Sequence, residues 1–182
     1  MKRVFLGIDL PIEIKDDIEK LKKNCHLEKL PIKLVELNNS HIAVKFMAEL
    51  SLDQIKKING SIKKVVLQFP PFKITIKDYL VFPNMFQPRI LALKVLSQNL
   101  ISLANVLINE LEKFSFIIKD NRPYTPHITL GRIKNNLSVN QNELFKKIEF
   151  SKEILINHLT LFESNLTSSG PNYTIIKEYQ LK

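Results

Sequence analysis

Arg122-Pro123-Tyr124-Thr125-Pro126-His127-Ile128-Thr129-Leu130-Gly131-Arg132 is the stretch around which this chain is organised. Its two prolines fix φ and disfavour helix at the residues before them, so His127 opens a new element rather than sitting inside one. From His127 the residues alternate, with His127, Thr129 and Gly131 on one side and Ile128 and Leu130 on the other. A period of two with β-branched types predicts a half-buried strand. The imidazole of His127 and the hydroxyl of Thr129 then point the same way.

A weaker copy lies half a chain earlier, at His41-Ile42-Ala43-Val44-Lys45-Phe46. Strict alternation puts His41, Ala43 and Lys45 on one face and Ile42, Val44 and Phe46 on the other. The turn-forming residues Asn38-Asn39-Ser40 stand before it. Two histidines that each open a strand in similar half-domains would face each other across a groove, a geometry that holds a general acid and a general base.

Size and composition narrow the alternatives. A chain of 182 residues that is 45% hydrophobic can bury a full core and is read as one domain spanning 1–182. No apolar run approaches the roughly 18 residues of a membrane span, and Met1-Lys2-Arg3 is not followed by a signal-peptide core, so a cytoplasmic location without membrane association is expected. The single Cys25 cannot form an intrachain disulfide. His26, His41, His127 and His158 show no zinc-like spacing, and no metal site is expected. With only four glycines and no Gly-rich phosphate loop, P-loop and Rossmann nucleotide binding are excluded. The formal charge of +9 favours a polyanionic partner, although an abundance of lysine produces the same balance without any ligand.

Taken in order, Arg3 to Leu10 reads as a strand with Phe5 on its groove side, and Pro11 begins a helix that ends near Asn24 to His26. Ile32 to Leu37 and His41 to Ala48 read as a hairpin-like strand pair. Ser51 and Gln54 form a capping-box pattern before a helix ended by Phe69-Pro70-Pro71. Strands follow at Phe72 to Leu80 and Arg89 to Leu96, then a helix from about Ser97 to Lys113. After Arg132 a polar loop with Asn135-Asn136, a short helix near Asn140 to Ile148, a strand from Ile154 to Glu163 and a closing strand from Tyr173 to Tyr179 are expected. His158-Leu159-Thr160-Leu161 repeats the His-x-Thr pattern without the framing turn and prolines, and is read as a surface or sheet-packing histidine. Helices separated by strand pairs indicate an α+β fold, with two antiparallel sheets lining a central groove and helices on the outer faces.

In these motifs the chain resembles the 2H phosphoesterases, and among them the LigT-like RNA 2′,3′-cyclic phosphodiesterases. The second motif matches as His127-Ile128-Thr129-Leu130, framed by Arg122-Pro123 and Pro126 before it and Arg132 after it. The first, His41-Ile42-Ala43-Val44, carries alanine where the family has a hydroxyl residue. The likeness continues through Val4 to Pro11, through Phe82-Pro83 and Arg89 to Leu91, and through Leu161 to Ser164 and Gly170 to Tyr173.

The resemblance implies a single 2H phosphoesterase domain with two pseudo-symmetric lobes, acting as a monomer on RNA with a 2′,3′-cyclic phosphate end or on a small cyclic nucleotide. It implies hydrolysis to a 2′-phosphate, with His41 as proton donor to the leaving 3′ oxygen and His127 as proton acceptor from water. Reversal of that chemistry is 2′-5′ ligation. Two imidazoles can supply both functions near neutral pH, so neither metal nor cofactor is called for. Thr129 and Arg132 are expected to bind the phosphate, and Tyr124 and Phe5 to stack a base. Alternation puts Arg132 on the Ile128 and Leu130 face, so its reaching the groove requires a bend at Gly131. Ala43 leaves three outcomes open: a slow enzyme, replacement of the hydroxyl by water or Lys45, or a non-catalytic RNA-end binding module. A protein-interaction domain is the remaining alternative.

Overall fold

The computed structural model describes residues 1–134, 144–168 and 170–182. The period-two segments form β1 (Lys2–Asp9), β2 (Ile32–Leu34), β3 (His41–Leu50), β4 (Phe72–Phe82), β5 (Ile90–Leu96), β6 (His127–Ile133), β7 (Ser151–Ile156), β8 (His158–Leu166) and β9 (Pro171–Gln180). The period-3.6 segments form α1 (Ile12–Asn24), α2 (Leu52–Val66) and α3 (Gln98–Leu111). The capping box is present: Gln54 N donates to Ser51 Oγ at 3.2 Å, and Ser51 N donates to Gln54 Oε1 at 2.8 Å. Ser97 caps α3 by accepting from Leu100 N at 3.2 Å.

The fold is α+β, as the element order implies. All strand pairs are antiparallel, in the order β7-β4-β5-β6-β3-β1-β8-β9, with β2 on β6. Among the described residues, the two expected sheets are joined into one curled sheet by the residue pair Ile42 and Ile128. The helices bury Ile14, Ile18, Ile58, Ile62, Leu103 and Leu107 in one core with Leu6, Ile8, Ile42, Leu91, Leu93 and Ile128 from the sheet. The opposite face of the sheet is left to the candidate site.

Three local readings change. The hairpin between Ile32–Leu34 and β3 does not form: Leu37–Asn39 makes a 3-10 turn, Asn39 Nδ2 donates to Pro171 O at 2.7 Å, and β2 pairs with β6 instead. The strand expected from Ile154 to Glu163 breaks at Asn157, because Ile156 pairs with Phe72 at one end of the sheet while His158 pairs with Gln180 at the other. Of the short helix expected near Asn140, the first part and the Asn135-Asn136 loop lie outside the described residues, and Leu144–Lys147 is a 3-10 turn.

Candidate active site

His41 and His127 occupy matching settings. Each opens its strand, and each donates Nδ1–H to the carbonyl two residues earlier: Asn39 O at 2.7 Å and Thr125 O at 2.8 Å. A carbonyl only accepts, so both rings carry their proton on Nδ1 when neutral and are left with Nε2 for chemistry. Each ring also rests on a phenylalanine at a centroid distance of 4.8 Å, Phe5 under His41 and Phe82 under His127.

The Ile42–Ile128 bridge decides how the two motifs meet. Its antiparallel register sets Thr129 opposite His41 and Ala43 opposite His127, with all four side chains on the face away from Ile42 and Ile128. The hydroxyl-bearing position of one motif thus stands across from the histidine of the other. The Ala43 position, where the hydroxyl is missing, belongs to the surroundings of His127.

Burial pushes the His41 imidazole below its ordinary 6.5. The Asn39 carbonyl opposes this, a charge on His127 adds to it, the Asp9 carboxylate opposes it and the Lys15 ammonium adds to it. The enclosure is aromatic: Tyr173 lies edge-on at 5.1 Å and Phe162 at 6.3 Å. Asp9 is the β1 partner of His41, and its Oδ1 receives Lys15 Nζ at 2.7 Å.

Two β-bulges overrule strict alternation. In β6 the register with β5 skips Leu130, since Leu91 pairs with Gly131 and Ala92 with Thr129. The extra residue reverses the faces beyond it, bringing exposed Arg132 onto the side of His127 and Thr129. The charge of Arg132 accordingly acts on Tyr173, which burial pushes up and Arg132 and Arg3 pull down. In β3 the register with β1 skips Val44, so Phe46, not Lys45, follows Ala43 on the groove face.

Lys45 is therefore corrected. It is 6% exposed, its ammonium is paired with Glu112, and it donates to Ile118 O at 2.9 Å. With its charge engaged there, it does not stand in for the missing hydroxyl. Phe5 is corrected as a base-stacking residue: at 1% exposure, stacked on Phe162 at 4.8 Å, it is the floor beneath His41. Tyr124 is half-buried, and its hydroxyl donates to Ala43 O at 3.0 Å, tying the approach to His127 onto β3. Burial raises its phenol. His158 donates to Asn157 Oδ1 at 2.7 Å or accepts there only if the amide is reversed, and Thr160 is wholly buried opposite Gly7.

Sequence reasoning passed over Asp9, Lys15, Phe46, Phe82, Phe162 and Tyr173 as neighbours of the histidines. Phe82 alone had a local signal, its place before Pro83; the others reach the site through strand pairing. Among the described residues, His, Cys, Asp and Glu side chains form no group of three or more that would hold a metal ion.

The family model for the 2′-5′ RNA ligase superfamily matches residues 10–167. The chain belongs to this superfamily. An RNA 2′,3′-cyclic phosphodiesterase of Methanocaldococcus jannaschii is 34% identical over 181 residues, covering 97% of this chain and 99% of the relative. One from Aquifex aeolicus is 31% identical over 184 residues, covering 98% and 97%. Escherichia coli LigT complexed with 3′-AMP superposes with a TM-score of 0.81 at 25% identity, covering 100% of this chain and 98% of LigT. TT0787 of Thermus thermophilus has the same fold, with a TM-score of 0.84 at 22% identity over 98% and 97% of the two chains. Membership of the superfamily agrees with the motif resemblance, and the curled sheet is the fold these structures share.

Proposed function

We propose that this chain hydrolyses RNA ends carrying a 2′,3′-cyclic phosphate to 2′-phosphate ends, with His41 and His127 as the acid and base of a two-lobed site. The observation that carries the reading is the matched pair of imidazoles, each held through Nδ1 by a carbonyl two residues back and each left with Nε2 on the same face of the sheet. The activity named for the relatives supports the substrate class.

In the proposed reaction His127 Nε2 takes a proton from water as its oxygen attacks phosphorus. The bond from phosphorus to the 3′ oxygen breaks, and His41 Nε2–H protonates that oxygen. One water is consumed, and the phosphate stays on the 2′ oxygen. Thr129, opposite His41, donates to a non-bridging oxygen, and Arg132 adds charge to the same phosphate. The lowered proton affinity of half-buried His41 in the free protein suits this order of events, because an arriving phosphate anion is what restores the proton the leaving group needs.

Purified protein is incubated with RNA ending in a 2′,3′-cyclic phosphate, in the presence of EDTA. The expected product is a 2′-phosphate, and His41→Ala and His127→Ala each lower turnover by about 10²- to 10⁴-fold, the usual range for a general acid or base. Absence of product sinks the enzyme reading, and full activity in either variant sinks the assignment.

Ala43 favours one second reading, a non-catalytic RNA-end binding module, since the groove beside His127 has a methyl group in place of a donor. That reading predicts salt-sensitive binding of the same RNA with no turnover.

A further inference from the structure

The strand that presents His41 also presents an open phenylalanine that the hydrolysis above does not use. The bulge at Val44 turns Phe46 onto the groove face, where it is 60% exposed with its ring centroid 5.2 Å from that of Phe5. A lone exposed apolar residue means little, but this one belongs to a continuous lining. Ile90, Phe82 and Ile118 continue it, and Ile118 is itself 69% exposed. The groove they line also takes in His127, Ala43 and Lys119 and holds about 880 Å³. That is near the top of the roughly 300–1,000 Å³ range of small-molecule sites, room for more than the terminal nucleoside and its phosphate.

Charge selects the occupant. Arg3 and Lys119 stand on the groove wall and, among the described residues, make no ion pair. Arg122 there is engaged with Asp120 at 2.6 Å, and the Lys45 ammonium is turned from the groove face to Glu112. An open aromatic face in a groove that also carries two cations outside any ion pair is the kind of surface that holds a splayed base and its backbone in single-stranded nucleic acid. A cyclic phosphate ends the RNA chain at its 3′ side. Any further nucleotide in a groove adjoining the histidines therefore lies 5′ of the cyclised one.

We infer that Phe46 is the stacking platform for the nucleotide immediately 5′ of the cyclised end, with Arg3 and Lys119 holding the connecting phosphate, so that the site reads single-stranded RNA ends in preference to mononucleotides. The inference rests on the proposed hydrolysis for the position of the cyclic phosphate, and on the groove for everything else.

The test compares kcat/KM for 2′,3′-cyclic AMP with that for the dinucleotide ApA ending in a 2′,3′-cyclic phosphate, in the wild-type protein, Phe46→Ala and Phe46→Trp. Stacking on an aromatic side chain gives the dinucleotide an advantage of about tenfold or more in the wild type. Phe46→Ala brings the ratio close to one, Phe46→Trp restores it, and a dinucleotide with an abasic 5′ residue behaves like the mononucleotide. A dinucleotide advantage that survives Phe46→Ala overturns the inference. So does an equal loss on both substrates, which assigns Phe46 to the terminal base. Should the wild type hydrolyse neither substrate, the hydrolysis reading fails by itself. Calorimetric binding of ApA 3′-phosphate against 3′-AMP then decides the platform, with Phe46→Ala expected to weaken the first by about tenfold relative to the second.

Discussion

At position 43 a methyl group stands where the matching place in β6, Thr129, has a hydroxyl, and the register puts that methyl opposite His127. One preorganised donor to a developing phosphate charge is worth about 10²–10³ in turnover where it has been removed from other sites. Ala43→Thr is accordingly expected to raise kcat on a cyclic-phosphate RNA end by tenfold or more, read under saturating substrate. An unchanged rate would mean that the site has been rebuilt around the alanine. His41 supplies the second prediction at this scale. Its pKa in the free protein lies below 6.5, and an anionic phosphate beside it favours the charged ring and raises that pKa. Between the free and bound values, binding therefore takes up a proton, and affinity for 3′-AMP rises as pH falls toward the free value. Calorimetry in two buffers of different ionisation enthalpy, run across pH in the wild type and His41→Ala so that the phosphate's own titration cancels, measures the uptake; no difference between the two proteins at any pH would contradict the placement of the phosphate next to His41.

Beyond the strand bridge itself, the segment between α3 and β6 is tied to β3 by side chains. Glu112, at the end of α3, accepts from Lys45 of β3 and from Asp120 N at 3.1 Å, and Tyr124 donates to Ala43 O. The approach to His127 is thus fastened to the strand of His41 at two places. Tyr124→Phe keeps the ring and removes the second fastening, with an expected loss of about 1 kcal/mol, the usual net value of one hydrogen bond. In a chain of this size that corresponds to about 2–4 °C in Tm. A fall in kcat beyond that of an equally destabilised surface variant is the sign that the fastening sets the separation of the imidazoles; a lower Tm with normal kcat would reduce it to packing. None of this was visible in the sequence, where Lys45 read as a groove residue by alternation and Glu112 fell within a helix without a part in the site. One skipped residue, Val44, reverses the parity that such a reading depends on.

At the scale of the whole molecule, the sheet is joined among the described residues through the pair Ile42 and Ile128, and the packing near that bridge leaves little slack. A methyl group added at Gly7 would stand 2.7 Å from the carbonyl oxygen of Ile42, and one at Gly131 would stand 2.5 Å from Ile32 Cγ2. Gly7→Ala is expected to destabilise by about 1–3 kcal/mol, as overpacking does, because the atom it meets is backbone and cannot swing aside. It should also lower kcat/KM by displacing β3 under His41. Thermal unfolding and a cyclic-phosphate assay on the same preparation check both, and a variant with wild-type values in each would show that the two halves adjust independently. By itself the sequence determined the helices, through their apolar stripes and the Ser51 and Ser97 caps, the strands that open at His41 and His127, through prolines, turn residues and alternation, and the family, through the two motifs. All of these are local signals carried by neighbouring residues. Only the tertiary structure decided which strands pair, where Val44 and Leu130 bulge, and therefore that Arg132 and Phe46 face the groove while Lys45 turns away. Register is a contest among hydrogen bonds and buried side chains from distant parts of the chain, and a single residue's shift in it exchanges the two faces of a strand.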